Sequence, residues 1–352
     1  MARPSQANRR ALVSPGTRKL SPAMPSDPMP KPKNRIPDPG IEITIPDLKP
    51  WRAGNTGTPY VWRFDAAEPG PHAVVVGLIH GNEMCGALAL NTLLSAGLRP
   101  NRGSISFVFA NIEAFERFDP TDPFRTRFVD EDMNRIWSPE VLDGSRNSIE
   151  LARAREIRSV IESADYLLDL HSMMRPNQPL ALTGVADRGL ALAAGVGAPE
   201  MVVVDEGHAS GTRLRDHPRF VETDSAATAL LVECGQHWAQ DSSDLALALT
   251  LRFLTHLGLV SENAASSLTP QHRSLEIDAQ QIVHVTEAIS PRTDAFQFVE
   301  PFRGVEIIKD AGTIIAHDGG TPVKTPYDRC VLILPARRTR PGQTAVRLGR
   351  FG

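Results

Sequence analysis

The stretch GLIHGNEMCG, residues 77–86, sets His80 and Glu83 three residues apart, where the apolar run HAVVV gives way to the helix-like ALALNTLL. An imidazole and a carboxylate at that spacing can share a metal ion. Taken alone, the pair also suits a loop histidine beside a glutamate that the helix dipole favours. His171 changes the balance. In YLLDLHS it ends an apolar strand, and the alternation of side chains puts Asp169 on the same face. A carboxylate in that place is what zinc sites use to orient an imidazole. Two imidazoles and one carboxylate, with a fourth position open to water, make a catalytic rather than a structural zinc set. His80, Glu83 and His171 are therefore the expected ligands of one Zn2+ per subunit.

Hydrolysis at such a centre needs a base. Glu233 closes the apolar run of TALLVECGQHW, a dry setting beside a cation that suits a proton carrier. The segment RTRFVDEDMNRIW, residues 125–137, adds Arg127 and Arg135 with Asn134 between them. Charged runs of this kind are commonly solvated loops. A guanidinium also matches a carboxylate bidentately, and a second one can stabilise an oxyanion. An acylated amino acid would need both.

The elements that must position these groups follow from periodicity. From about 41 to 262, short apolar runs (HAVVVGLI, ISFVFAN, YLLDLHS, PEMVVV, ALLVECG) alternate with helix-period segments at 83–96, 148–163, 187–196 and 241–257. That pattern predicts an α/β fold, a mixed, largely parallel sheet with helices on both faces, forming a catalytic domain. His80, His171 and Glu233 fall at the carboxyl ends of strands, where such sheets collect ligands. SENAASSLTP, 261–270, reads as a linker, and 271–352 as a small all-β domain of short strands punctuated by Gly and Pro. Residues 1–40, rich in Pro, Ser and Arg, read as a disordered basic tail.

Residues 1–36 carry eight Lys/Arg against Asp27 alone, so of the net charge of −3 this segment holds +7 and the remaining chain −10. Nucleic acid is not an expected partner of that body, which lacks a basic face. No apolar run is long enough for a membrane span, and Arg9-Arg10 lacks the apolar stretch of an export signal. The three cysteines, Cys85, Cys234 and Cys330, form no C-x-x-C pair, so neither a disulfide framework nor a thiolate zinc site is expected. A cytoplasmic setting is. His208 and His217, in the polar loop EGHASGTRLRDHPRF, read as surface histidines.

Together the motifs resemble the succinylglutamate desuccinylase/aspartoacylase branch of the zinc carboxypeptidase superfamily (M14-like). HGNE at 80–83, LLDLHS at 167–172 and LLVECG at 230–235 are similar to that branch's two metal motifs and its catalytic strand. RFVDEDMNR, 127–135, is similar to its R-[YF]-x-D-x-D-x-N-R. The resemblance implies that Arg127 polarises the scissile carbonyl, that Asn134 and Arg135 hold the substrate carboxylate, and that Glu233 is the base. It places Asp169 behind a zinc histidine and implies a C-terminal β domain that caps the site. A late tyrosine is also expected there, and Tyr327 is the residue available. Cys234-Gly235-Gln236-His237 stands where aspartoacylases have V-G-P, and Glu222 and Thr223 where they carry an arginine about ten residues before the glutamate, which points away from N-acetylaspartate.

The function expected is thus a zinc amidohydrolase, or deacylase, cleaving a small N-acyl amino acid or related carboxylate-bearing amide, in a possible homo-oligomer. The alternatives are a zinc carboxypeptidase acting on peptides and a non-catalytic binding protein of the same fold.

Overall fold

The computed structural model describes residues 40–208, 210–270, 275–336 and 339–352. The expectation of a disordered tail falls, up to residue 39, outside the described residues. In chain order the strands are β1 Val61–Asp65, β2 Glu68–Gly77, β3 Arg102–Phe109, β4 Tyr166–Met173, β5 Leu180–Thr183, β6 Met201–Val204 and β7 Thr228–Gln236, followed by β8 Gln281–Ile289, β9 Phe296–Phe298, β10 Val305–Ile308, β11 Ile314–Asp318, β12 Thr321–Lys324, β13 Cys330–Ile333 and β14 Val346–Phe351. The longer helices are α1 Cys85–Ser95, α2 Ile149–Glu162, α3 Asp187–Val196 and α4 Gln240–His256, with a shorter α5 at Glu262–Leu268.

Among the described residues, eleven strands form one mixed sheet in the order β1-β3-β2-β4-β7-β5-β6-β8-β14-β13-β10. Its centre, β3-β2-β4-β7, is parallel. β5 runs antiparallel to β7 but parallel to β6, which in turn is parallel to β8. From β8 outward the pairing is antiparallel, so the C-terminal strands continue the sheet. β9, β11 and β12 make a second, three-stranded antiparallel sheet.

Central strands buried on both faces read as continuous apolar runs, and alternate residues serve different cores. Ala73, Val75, Leu168 and Leu170 pack with Leu90 and Leu93 of α1 and Leu245 and Leu249 of α4. Val74, Val76, Leu167 and Ala229 pack with Leu151, Ala154, Ile157 and Ile161 of α2 on the opposite face. The α/β class with helices on both faces is as expected. The segment 261–270 is not a plain linker. It holds α5, because Ser261 caps the helix by accepting from Ala264 N at 3.3 Å and Glu262 sits in the first turn. β1, β5 and β12 are short strands that periodicity passed over. No helix among the described residues is long and apolar enough to cross a membrane.

The turn leaving β2 is under steric constraint. Leu78 is fully buried with φ +64°, a conformation costly for a branched side chain and found where surrounding structure enforces it. Gly81 N donates to Arg127 O at 3.0 Å. A Cβ at Gly81 would collide with the backbone of Ala114 and Phe115. Gly81→Ala should therefore destabilise the protein by about 1–3 kcal/mol, the usual cost of overpacking, and displace the turn. Denaturant unfolding together with metal affinity would check this, and a variant matching the wild type in both would refute it.

Candidate metal centre and active site

His80 and Glu83 lie in the turn between β2 and α1, with Glu83 N donating to His80 O at 3.1 Å. Glu83 thus precedes the helix, which starts at Cys85, rather than opening it. His171 and Glu233 stand side by side on β4 and β7, as register partners. Since β2, β4 and β7 are parallel, all four residues gather at one edge of the sheet.

Glu83 is the hub. Its Oε1 lies 2.8 Å from His80 Nδ1 and its Oε2 2.9 Å from His171 Nδ1. Ser172 N also donates to Oε2 at 3.1 Å. One ligand atom from each of His80, Glu83 and His171 falls within 4.8 Å of the others. Bonds of roughly 2 Å around a tetrahedral ion leave ligand atoms about 3.3 Å apart, so the Glu83–imidazole separations would open slightly to admit one. His80 Nδ1 is buried and, although it lies beside Glu83 Oε1, makes no hydrogen bond of good angle to it. Each outer nitrogen has its own carboxylate: His80 Nε2 is 2.9 Å from Asp132 Oδ1, and His171 Nε2 is 3.0 Å from Asp169 Oδ2. That arrangement turns both Nδ1 atoms toward the common point.

The electrostatics favour a cation there. Burial would raise the Glu83 pKa, but the flanking His80 and His171 hold it well below the ordinary carboxylate range. Burial would lower that of His171, yet Asp169 and Glu83 lift it well above the ordinary imidazole value. Asp132 is likewise held low against burial by His80 and Arg127. Among the described residues, Glu83, Asp132, Asp169 and Glu233 surround the two imidazoles, with Arg127 against Glu83 and Asp132, and Arg135 4.0 Å from Asp132, as fixed counter-charges. Buried acids in that excess are stable only beside positive charge. Two imidazoles and a carboxylate fit zinc by softness and number.

Glu233 keeps some exposure as a residue, but its Oε2 is buried and has no hydrogen-bond partner. Burial and then the Glu83 carboxylate push its pKa up to about 8. A divalent ion would act in the opposite direction. Arg127, 35 % exposed, donates through Nη1 to Glu83 Oε1 at 2.7 Å, which places its guanidinium against the metal set. Asn134 is buried; its Oδ1 accepts from Leu214 N at 2.8 Å and its Nδ2 lies 3.5 Å from His171 Nε2. Arg135 donates through Nη1 to Asn134 O at 2.6 Å and places Nη2 3.1 Å from His208 Nε2.

Tyr327 is the sequence-predicted site residue that the structure does not bring to this cluster. Its hydroxyl is 2.5 Å from Thr286 Oγ1, and the Arg350 guanidinium stacks on its ring at 4.2 Å. Those partners belong to β8 and β14, so its chemistry is spent within the C-terminal strands. The histidines of the 206–220 loop also differ from expectation. His217 is buried at 4 %, its Nδ1 accepting from Arg219 N at 3.2 Å, and His208 is half-buried against Arg135.

Two residues with clear positions here had no assigned role in the sequence. Asp132 orients His80; it lay in view inside RFVDEDMNR, but nothing local pairs it with a histidine 52 residues away. Glu150, fully buried in the first turn of α2, accepts from Val129 N at 2.6 Å, Asp130 N at 3.0 Å and Glu131 N at 3.2 Å. One carboxylate thus pins the loop that carries Arg127, Asp132, Asn134 and Arg135.

With this geometry in hand, the comparisons are specific. The sequence model described as the succinylglutamate desuccinylase/aspartoacylase catalytic domain matches residues 69–257. The chain belongs to the succinylglutamate desuccinylase/aspartoacylase family. A succinylglutamate desuccinylase of Pseudoalteromonas atlantica is 25 % identical over 296 residues, covering 76 % of this chain and 78 % of that protein. An N-acyl-aromatic-L-amino acid amidohydrolase (carboxylate-forming) of Xenopus laevis is 34 % identical over 113 residues, 30 % of this chain and 35 % of that one. Among solved structures, a succinylglutamate desuccinylase from Vibrio parahaemolyticus shares the fold with a TM-score of 0.59 at 17 % identity, covering 83 % of this chain and 86 % of that one.

Removing the outer partner of a metal histidine typically lowers metal affinity by about 10- to 100-fold. Asp132→Asn should do so here while leaving the fold intact. Competition for zinc against a chromophoric chelator measures it, and wild-type affinity would remove Asp132 from the site.

Proposed function

We propose that this family member is a zinc-dependent amidohydrolase that deacylates a small N-acyl amino acid or related carboxylate-bearing amide. The observation that carries the reading is the convergence of both Nδ1 atoms on the Glu83 carboxylate with Glu233 on the adjoining strand. Relatives named for desuccinylation and for aromatic N-acyl amino acid hydrolysis support the reaction class.

His80, Glu83 and His171 would hold the ion. A divalent cation bound there supplies a Lewis acid next to the scissile carbonyl and makes water a stronger acid. Every other role falls to the chain. Glu233 takes a proton from the attacking water and hands it to the departing amide nitrogen. Arg127 stabilises negative charge developing on the carbonyl oxygen. Arg135, braced by the main chain of Asn134, anchors the substrate carboxylate. Asp132 and Asp169 keep the imidazoles oriented. The strands from β8 onward narrow access: Arg347 of β14 pairs with Asp205 at 3.1 Å, fixing the loop that abuts Arg135. The free, buried Cys85, Cys234 and Cys330 suit a reducing, cytoplasmic setting.

The test is a screen of the zinc-loaded protein against N-acyl amino acids and peptides. Chelator-sensitive release of free carboxylic acid from the former, and not from the latter, is expected. Preference for peptides would make it a carboxypeptidase instead, and no turnover on either would leave a binding protein. Glu233→Gln should keep its zinc but lose about 100- to 10,000-fold in kcat, the usual span of general-base catalysis. Undiminished turnover in that variant would overturn the mechanism.

A further inference from the structure

β4 and β7 lose their regular pairing just past the metal centre. His171 stands opposite Glu233, but Met173 stands opposite Gln236, so β7 carries one extra residue there. Gly235 makes this bulge possible. Its φ of +124° lies in the region that favours glycine, and a Cβ on it would meet Ser242 Oγ at 2.5 Å. Bulges re-aim the groups beside them. Here the group is the amide of Ser172, which donates to Glu83 Oε2 at 3.1 Å, the oxygen that also lies 2.9 Å from His171 Nδ1.

His237 closes the bulge from the far side. Its main-chain N donates to Met173 O at 2.8 Å, and its Nδ1 lies 2.9 Å from Ser172 Oγ. Only 2 % of the residue is exposed, and burial brings its pKa down to about 4. The ring is therefore neutral near pH 7; it adds no charge to the metal centre and shares one hydrogen bond with the hydroxyl. Its neighbour Trp238 packs against it with ring centroids 5.5 Å apart. The Trp238 indole Nε1 donates to Asn82 O at 3.1 Å, in the turn between His80 and Glu83. One dipeptide thus reaches the Glu83 carboxylate by way of Ser172 and the Glu83 backbone by way of Asn82.

We propose that His237 is a positioning residue for Glu83: by holding the Ser172 hydroxyl it keeps the Ser172 amide aimed at Oε2 and so fixes the carboxylate. Carboxylates that ligate a metal are themselves oriented by hydrogen bonds. His80 and His171 have Asp132 and Asp169 behind them, and Glu83 Oε1 has Arg127. For Oε2 that part falls to the Ser172 amide, locked from behind by His237. The inference rests on the reading of Glu83 as a metal ligand, and it assigns the effect to the hydrogen bond rather than to the bulk of the ring.

Two substitutions separate that bond from packing. His237→Asn keeps a polar group close to where Nδ1 stands but leaves a larger void, whereas His237→Leu fills the space with apolar atoms and loses the bond. Zinc is withdrawn from the loaded full-length proteins by a chromophoric chelator, which reads metal affinity directly. His237→Leu should bind zinc about 10- to 100-fold more weakly than the wild type, the usual effect of losing an outer partner of a ligand. His237→Asn should stay close to the wild type. Ser172→Ala should fall as far as His237→Leu, and the double variant no further than either, because both changes remove the same bond. A ranking that follows packing, with His237→Leu binding zinc at least as tightly as His237→Asn, overturns the proposal. Should His237→Leu fail to fold, Ser172→Ala carries the comparison, and wild-type zinc affinity in that variant overturns it equally. A wild-type protein that takes up no zinc would defeat the metal reading itself and this inference with it. Zinc uptake by the wild type, matched by every variant, would defeat this inference alone.

Discussion

The parallel pairing of β2, β4 and β7 is the constraint on which everything else in the site depends. Only when these strands run the same way do the turn after β2 and the ends of β4 and β7 share an edge. The β4–β7 register then sets His171 beside Glu233. One residue of slip between them would turn one of the two side chains to the other face of the sheet. The register is held by apolar residues on both faces, so the core fixes the chemistry through geometry alone. Close approach of α1 completes the arrangement. A Cβ at Gly86 would crowd Leu170 Cβ at 2.9 Å, so a larger residue would push the helix, and Glu83 ahead of it, away from β4.

Much of this is legible because the candidate site residues sit where apolar runs end, and a run's end is visible in sequence. Strand periodicity located Asp169 on the face of His171, two residues along. Asp132 and Glu150 were not legible in the same way. Their partners lie across loops, and a loop's path is set by which buried carboxylate its amides find, not by any repeating pattern. β1 and β5 were passed over since short strands carry too few alternations to distinguish from irregular chain. The 262–268 helix lost out to its own Ser- and Ala-rich composition, which resembles a linker until the Ser261 cap is recognised. Tyr327 was misplaced for a different reason: a tyrosine's reach cannot be judged without knowing which strands it packs between, and Thr286 and Arg350 already engage it.

The charges around the candidate site divide into two halves. Around His80 and His171 the carboxylates outnumber the fixed cations, whereas around Asp205 the guanidiniums outnumber the carboxylates. Neither half is balanced internally, and the chain does not let them cancel. Asp132 and Arg135, which lie between the halves, come no nearer than 4.0 Å. At an effective dielectric near 20, charges that far apart attract by about 4 kcal/mol, less than the several kcal/mol it costs to bury each ion. Internal pairing across the boundary therefore cannot neutralise the site. A cation among the carboxylates would offset the first half, and this is the physical ground for grouping His80, Glu83 and His171 as candidate metal ligands.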